Sequence, residues 1–241
     1  MHILSTTFAT TESTSPTPTL PERLFAEIRR AIVEGEIPAG SKISEPDLAS
    51  RFGISRAPLR EAIGRLEAAN LVQRRPNYGA RVVSLSAPGL LELYDMREVM
   101  EGLAARRAAE AMSEDEIASL RALLDEHEQA AGLRDGIAYV QQEGDLDFHY
   151  RIVQGSHSPR LVKTLCDDLY HLVRMYRFQL GMTSPRARHA FCEHRHLVDA
   201  IEQRDAELAE LLMRRHIRAA RTSIERQLAA AGNIPPTGDA S

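Results

Sequence analysis

The stretch ISEPDLASRFGISRAPLREAIGRLEAANLVQRRPNYGARV, residues 43–82, decides the fold of the N-terminal part of the chain. Ser44 and Ser55 each precede a run of apolar residues at helical spacing, which predicts two capped helices. Gly53 separates these helices. Two short strand-like runs on either side of a turn at residues 76–79 then predict a β-hairpin with a basic tip.

Two helices joined by a Gly-containing turn and followed by a basic hairpin predict a winged helix-turn-helix that binds double-stranded DNA. The alternative is a pair of packed helices with a solvated arginine face. It does not explain why a basic β-hairpin follows the helices. Such proteins place two recognition helices on one duplex, so we expect a pseudo-palindromic operator. The residues predicted to contact DNA are Arg51, Ser55, Arg56, Arg60, Arg74, Arg75, Gly79 and Arg81.

Charge is divided unevenly along the chain. Residues 21–85 carry 11 Lys and Arg against 8 Asp and Glu, whereas residues 86–241 carry 19 against 25. A basic segment joined to an acidic one is the pattern expected when one end of a protein meets a polyanion.

The remaining sequence predicts a mainly α protein, with an all-α helical bundle following the winged helix-turn-helix. We place the DNA-binding domain at 20–86 and an all-helical domain for effector binding and dimerisation at 87–231. The Thr-, Ser- and Pro-rich residues 1–19 and the segment 232–241 are predicted to be disordered tails. The six helices predicted in the second domain span 88–111, 114–131, 136–156, 158–180, 186–203 and 206–230.

Four residues of the helical domain have a spacing that favours a metal site. Asp145 and His149 lie four residues apart on one predicted helix and so share a face. His194 and His216 each lie eleven residues from Asp205, where the chain turns, so an antiparallel hairpin brings them together about 16 Å from that turn. A lone histidine is more often structural. The shared register instead predicts a divalent ion, with zinc or nickel as the expected metal.

Arg97 and Glu101 are four residues apart on the first helix of this domain. They form either a buried or interface ion pair or an effector site in which the arginine binds an anion. We favour the effector site, and predict a small organic acid as the ligand.

Composition narrows the function classes. No apolar run is long enough to cross a membrane, and neither a signal peptide nor a CxxC pair is present, so we expect a cytoplasmic protein. No nucleophile–base pair or Gly-rich phosphate loop is evident in the sequence, so we expect that the protein is not an enzyme. Two alternatives remain open. One is a metal-dependent hydrolase or lyase, for which no unassigned general base is evident; the other is a regulator with a metal-free pocket for a larger ligand such as an acyl thioester.

The N-terminal motifs resemble the GntR family of bacterial transcription regulators. They are ISE at 43–45, FGISR at 52–56, PLREA at 58–62 and NYGARV at 77–82. The second block resembles the FCD ligand-binding domain of the FadR subfamily, in its VanR-like branch, through YDMR at 94–97, DLDFH at 145–149 and EHR at 193–195. The resemblance implies a homodimer and a metal held by Asp145, His149, His194 and His216.

Overall fold

A computed structural model of the chain describes residues 18–75, 79–130, 139, 141, 143–180 and 186–230, without the side chains of Arg75 and Asp145. The predicted tails therefore lie outside the described residues, apart from Pro18 and Thr19. Thr19 begins the first helix, because its backbone N–H and its hydroxyl both donate to the Glu22 carboxylate, at 2.8 and 3.0 Å.

The N-terminal domain contains three helices and a small sheet. The helices are α1 (Leu20–Val33), α2 (Glu45–Phe52) and α3 (Arg56–Ala68). Gly53 ends α2 at a φ of 62°, a left-handed conformation that glycine adopts without strain. Ile32, Leu59 and Leu66 are fully buried between the helices. The predicted helix-turn-helix is present, with both helices where the sequence predicts them.

The sheet has three antiparallel strands in the order β1 (Lys42–Ile43), β3 (Gly79–Val82) and β2 (Val72–Arg75). The β2–β3 hairpin was predicted from the sequence, within one residue at each end. The two-residue strand β1 was not predicted, because its only signal is its pairing with Ala80 and Arg81, almost forty residues later.

The C-terminal domain is helical throughout the part of the chain that the structure describes. Its helices are α4 (Ala87–Ala111), α5 (Glu114–Gln129), α6 (Phe148–Gly155), α7 (Pro159–Val162), α8 (Tyr170–Leu180), α9 (Ala187–Glu202) and α10 (Ala206–Ala230). Four of the predicted helices match α4, α5, α9 and α10 within two residues at each end.

Two predicted helices differ from the structure. Of the helix predicted over 136–156, the structure describes α6, which begins at Phe148 because the Asp147 side chain caps it and accepts a hydrogen bond from His149 N at 2.9 Å. Residues 136–138, 140 and 142 lie outside the described residues. Asp145 lies before this helix in a 3₁₀ turn, Gly144–Leu146, so the prediction that it shares a helix with His149 is wrong. The helix predicted over 158–180 is interrupted by a π-helical turn, Lys163–Asp168.

The bundle is built around α4 and α10, which pack against each other along their length. Gly102 permits the close approach, because a Cβ atom there would lie 2.6 Å from Arg214 Cγ. Ala105, Ala108 and Ala109 on α4 are likewise fully buried. Within the described residues, no helix is both long and apolar enough to cross a membrane.

Polar contacts join the two domains. Arg29 of α1 donates to the Glu143 carboxylate at 3.1 Å. Asn70, at the end of α3, donates from Nδ2 to the Asp168 carbonyl at 2.8 Å. The backbone N–H of Leu85, in the linker, donates to the Tyr176 hydroxyl of α8 at 2.6 Å. The DNA-binding domain therefore contacts the helical domain through α8, through Asp168 in the π-helical turn before it and through Glu143 in the segment before α6.

Candidate functional site

Three buried histidines meet in the helical domain. His149 comes from α6, His194 from α9 and His216 from α10, and one candidate ligand atom from each lies within 4.8 Å of the others. The Nε2 atoms of His194 and His216 are 3.2 Å apart. The predicted register of α9 against α10 is therefore confirmed.

The Nδ1 atom of each histidine makes a hydrogen bond. Nδ1 of His149 lies 2.7 Å from the Glu101 carboxylate, and Nδ1 of His216 lies 2.6 Å from the Glu193 carboxylate. Nδ1 of His194 lies 3.0 Å from the Tyr139 hydroxyl. A carboxylate only accepts hydrogen bonds, so His149 and His216 donate from Nδ1 and keep the Nε2 lone pair for the centre of the cluster. Carboxylate-oriented imidazoles of this kind are typical of histidines that bind metal.

The electrostatics of the cluster suit a cation. Burial lowers the pKa of His149 and His194, and lowers the pKa of His216 to about 4 although the Glu193 hydrogen bond opposes that shift. All three rings are therefore neutral at neutral pH, which is the state that ligates a metal. Burial alone would raise the pKa of Glu101, but Arg97 and His149 hold it below its ordinary value.

Asp145, the fourth predicted ligand, has a backbone position in the turn before α6, but its side chain lies outside the described residues. The structure therefore brings together three of the four predicted ligands, and the donor set of three neutral imidazoles fits a divalent ion.

The histidines line a cavity of about 90 Å³, which we call the histidine cavity. Three arginines also line it: Arg97 of α4, Arg177 of α8 and Arg186 at the start of α9. Each contacts one carboxylate: Arg97 binds Glu101 (2.6 Å), Arg177 binds Asp147 (2.9 Å) and Arg186 binds Glu193.

Only one of these arginines was predicted from the sequence. Arg97 and Glu101 form a buried ion pair, which is one of the two roles that the sequence allows for them. Glu101 also contacts Nδ1 of His149. Arg177 and Arg186 were missed because no spacing rule links them to the histidines. Asp147 was missed because the predicted helix ran through it, although an Asp two residues before His149 is an N-cap signal.

The predicted DNA-binding residues lie on or beside α2, α3 and the hairpin. Arg56 and Arg60 are exposed on one face of α3, and exposed Ser55 is the N-cap residue. Arg51 is exposed near the end of α2. Arg60 Nε donates to Glu45 at 2.9 Å.

The hairpin residues are less uniform. Arg74 is exposed on β2 and pairs with Glu67 at 3.1 Å. Gly79 has a φ of 74° at the start of β3, where a larger residue would be strained. Arg81 is half-buried and donates to the Gly40 carbonyl at 3.0 Å, which ties it to the sheet. The Arg75 side chain and the turn residues 76–78 lie outside the described residues.

Comparison with known proteins now identifies the fold. Residues 20–82 match the family model described as bacterial regulatory proteins, gntR family, and residues 92–219 match the FCD domain. The chain belongs to the GntR family. Its helical domain is an FCD domain, as the sequence motifs predicted.

Individual relatives agree with this assignment. The chain is 30% identical over 191 residues to the uncharacterized HTH-type transcriptional regulator YdhC of Bacillus subtilis, covering 78% of this chain and 83% of that one. It is 32% identical over 214 residues to the uncharacterized HTH-type transcriptional regulator BphR of Paraburkholderia xenovorans, covering 86% and 85%. The solved structure of E. coli McbR/YncC has the same fold, with a TM-score of 0.66 at 18% identity over 88% of this chain and 99% of that one.

These relatives decide one alternative. Members of the GntR family are DNA-binding transcription regulators, so this chain is a regulator and not an enzyme. The alternative of a metal-dependent hydrolase or lyase is therefore set aside.

Proposed function

We propose that this regulator binds a small organic acid together with a divalent metal in the histidine cavity, and that this ligand controls its affinity for operator DNA. The observation that carries the proposal is the convergence of His149, His194 and His216 beside Arg97 and Arg177 in one cavity. Neutral nitrogen ligands suit a cation, whereas guanidinium groups suit a carboxylate.

His149, His194 and His216 would hold the ion, with Asp145 as a fourth ligand. Zinc or nickel is the expected metal, because imidazole ligands favour both. When bound, the metal would supply a positive charge that attracts a carboxylate oxygen. The Glu101 and Glu193 carboxylates would keep the rings of His149 and His216 oriented for it.

The charges of the cavity favour an anionic ligand. Each lining arginine is balanced by one carboxylate and the histidines are neutral, so a divalent ion would leave an excess of positive charge. An acid anion would neutralise it. The alternative of a metal-free pocket for an acyl thioester is disfavoured, because three histidines and three arginines line the cavity and an acyl chain would leave these polar groups without partners.

For DNA binding, we propose that the exposed arginines of α3 reach the bases and that the remaining predicted residues contact phosphates. Arg56 and Arg60 are four residues apart at the N-terminal end of α3, where a recognition helix meets base edges. Replacing Arg60 with Ala should weaken specific operator binding by about 1–3 kcal/mol, because an arginine fork to a base is lost. Fluorescence anisotropy with operator and scrambled DNA measures this. An unchanged difference between the two DNAs would contradict the assignment.

We propose that the functional unit is a homodimer on a pseudo-palindromic operator. Seven large apolar side chains are exposed among the described residues, and five of them lie on α4 and α10: Met96, Val99, Leu103, Leu208 and Leu211. Apolar side chains gathered on two adjacent helices are typical of a protein interface.

Three further assignments remain proposals. We place the domains at 20–86 and 87–231, close to the two matched families. We expect a cytoplasmic location, since Cys166 and Cys192 are free thiols. We assign the VanR-like branch, because the sequence predicts six helices in this domain. A structure with a further helix within 131–142 would contradict this branch.

The segment before α6 offers a route from the cavity to the DNA-binding domain. Gln141 lines the cavity and accepts a hydrogen bond from Phe148 N at 2.8 Å. Two residues later, Glu143 binds Arg29 of α1. A ligand that moves this segment would alter the placement of α1, and such coupling is typically about 1–3 kcal/mol.

The proposal is tested by titrating small hydroxy and sugar acids against the protein–operator complex, with metal-loaded and chelator-treated protein. We expect at least one acid to change operator affinity about 5- to 150-fold in the metal-loaded wild type. The change should vanish after chelation and weaken in Arg97→Ala. An acid that acts equally well on chelated protein and on Arg97→Ala would show that the sensor lies elsewhere.

A further inference from the structure

A larger groove adjoins the histidine cavity. Arg186 and Ser223 line both, and the second space, which we call the outer groove, has a volume of about 710 Å³. The histidine cavity itself, at about 90 Å³, holds roughly three water molecules at about 30 Å³ each. A carboxylate fits there, and the outer groove is an adjoining space into which a larger effector can extend. This step rests on the proposed function.

One stripe of α10 forms the floor of the outer groove. Arg215, Arg218, Thr222 and Arg226 recur at spacings of three and four residues, which places them on one helix face. His189 near the start of α9 lines the groove beside them. The stripe begins directly beside His216, so it leads away from the proposed metal ligands along the helix axis.

The outer groove has an excess of positive charge. Arg218 contacts Glu98, and Glu193 contacts both Arg186 and His189. Arg215 and Arg226 are exposed, and neither makes an ion pair with any residue that the structure describes.

Those two guanidinium groups have the chemistry that recognises phosphate. Each presents a planar fork of N–H donors, which matches phosphate oxygens in bidentate fashion. The Ser223 hydroxyl, which also lines the groove, adds a donor, whereas the Thr222 hydroxyl donates to the Arg218 carbonyl at 3.0 Å. A dianion with three terminal oxygens would use more of these donors than a second carboxylate would.

We propose that the outer groove binds the phosphate of a phosphorylated organic acid, whose carboxylate binds in the histidine cavity. The effector is therefore an acid with an anionic group at each end. Arg215 and Arg226 are the residues that distinguish it from the unphosphorylated acid.

The test compares matched probes by calorimetry on the full-length, metal-loaded protein. The pairs are gluconate and glycerate, each with its terminal phosphate ester. We expect at least one ester to bind ten times more tightly than its parent acid in the wild type. In Arg215→Gln/Arg226→Gln this preference should fall to within about twofold. The control Arg160→Gln removes an exposed arginine of α7 and should keep the preference.

A second arm separates the groove from the metal site. Pyrophosphate should bind chelator-treated wild type and Arg160→Gln, and should bind the double variant at least tenfold more weakly. Pyrophosphate binding that is absent from the wild type, or unchanged in the double variant, overturns the groove assignment. So does equal affinity for both members of each probe pair. If the parent acids still bind only the metal-loaded protein, the proposed function stands without the phosphate site.

Discussion

The DNA-binding surface and the histidine cavity both place a glutamate against a basic side chain, but with opposite consequences. Glu45 binds Arg60 on an exposed surface, where DNA would have to replace it. Glu193 is half-buried and binds the buried His216, where it orients the ring and leaves Nε2 available. A glutamate carboxylate therefore competes with DNA for an arginine in one region, and orients a proposed metal ligand in the other. The two glutamates are similarly exposed, so the difference arises from the burial of the basic group and from which of its atoms remains free.

The strongest test of this comparison removes the buried ligands. We expect His194→Ala/His216→Ala to lose the metal entirely, because only one described ligand remains. Metal at a thousand times its Kd stabilises a folded protein by about 4 kcal/mol, and the variant should lack this stabilisation. Elemental analysis and thermal unfolding with and without chelator measure both effects. Full metal occupancy in the variant would show that the ion binds elsewhere.

A subtler change tests the role of the half-buried Glu193 carboxylate. Glu193→Gln should weaken metal binding about 10- to 100-fold, since the group that orients His216 loses its charge. Competition with a chromophoric chelator measures the affinity. Glu202→Gln is the matched control, because Glu202 lies on the same helix but is exposed and pairs with Arg121. Equal affinity in the two variants would mean that Glu193 does not prepare the site.

The same substitution on the DNA-binding surface should act in the other direction. We expect Glu45→Gln to tighten operator binding, because Arg60 no longer needs to leave a partner. The gain should be about 0.2–1 kcal/mol, the range of exposed ion pairs. Removing any negative charge near DNA helps binding, so Glu61→Gln, an exposed change on α3, is the reference in anisotropy titrations. A gain no greater than that of Glu61→Gln would show that Glu45 does not compete with DNA for Arg60.

The two regions also differ in how far the sequence predicts them. The helix-turn-helix depends on local signals, such as the serine before each helix and the left-handed Gly53, so its helices were predicted closely. Strand β1 was missed because only a partner distant in sequence defines it.

In the helical domain, the sequence predicted what depends on helix spacing. His194 and His216 meet because a turn lies midway between them. Asp147 breaks the periodicity before α6 by capping, which a pattern of apolar residues does not register. Arg177 and Arg186 reach the cavity through packing between helices, and no local pattern encodes that.

The contacts between the domains have a practical consequence for building chimeric regulators. A DNA-binding module exchanged at the linker would carry Arg29 and Asn70 away from Glu143 and Asp168. The new module would then recognise its own operator but would lack the residues that connect it to the sensor. A working biosensor of this design therefore needs, besides its recognition helix, the residues of α1 and of the end of α3 that contact the helical domain.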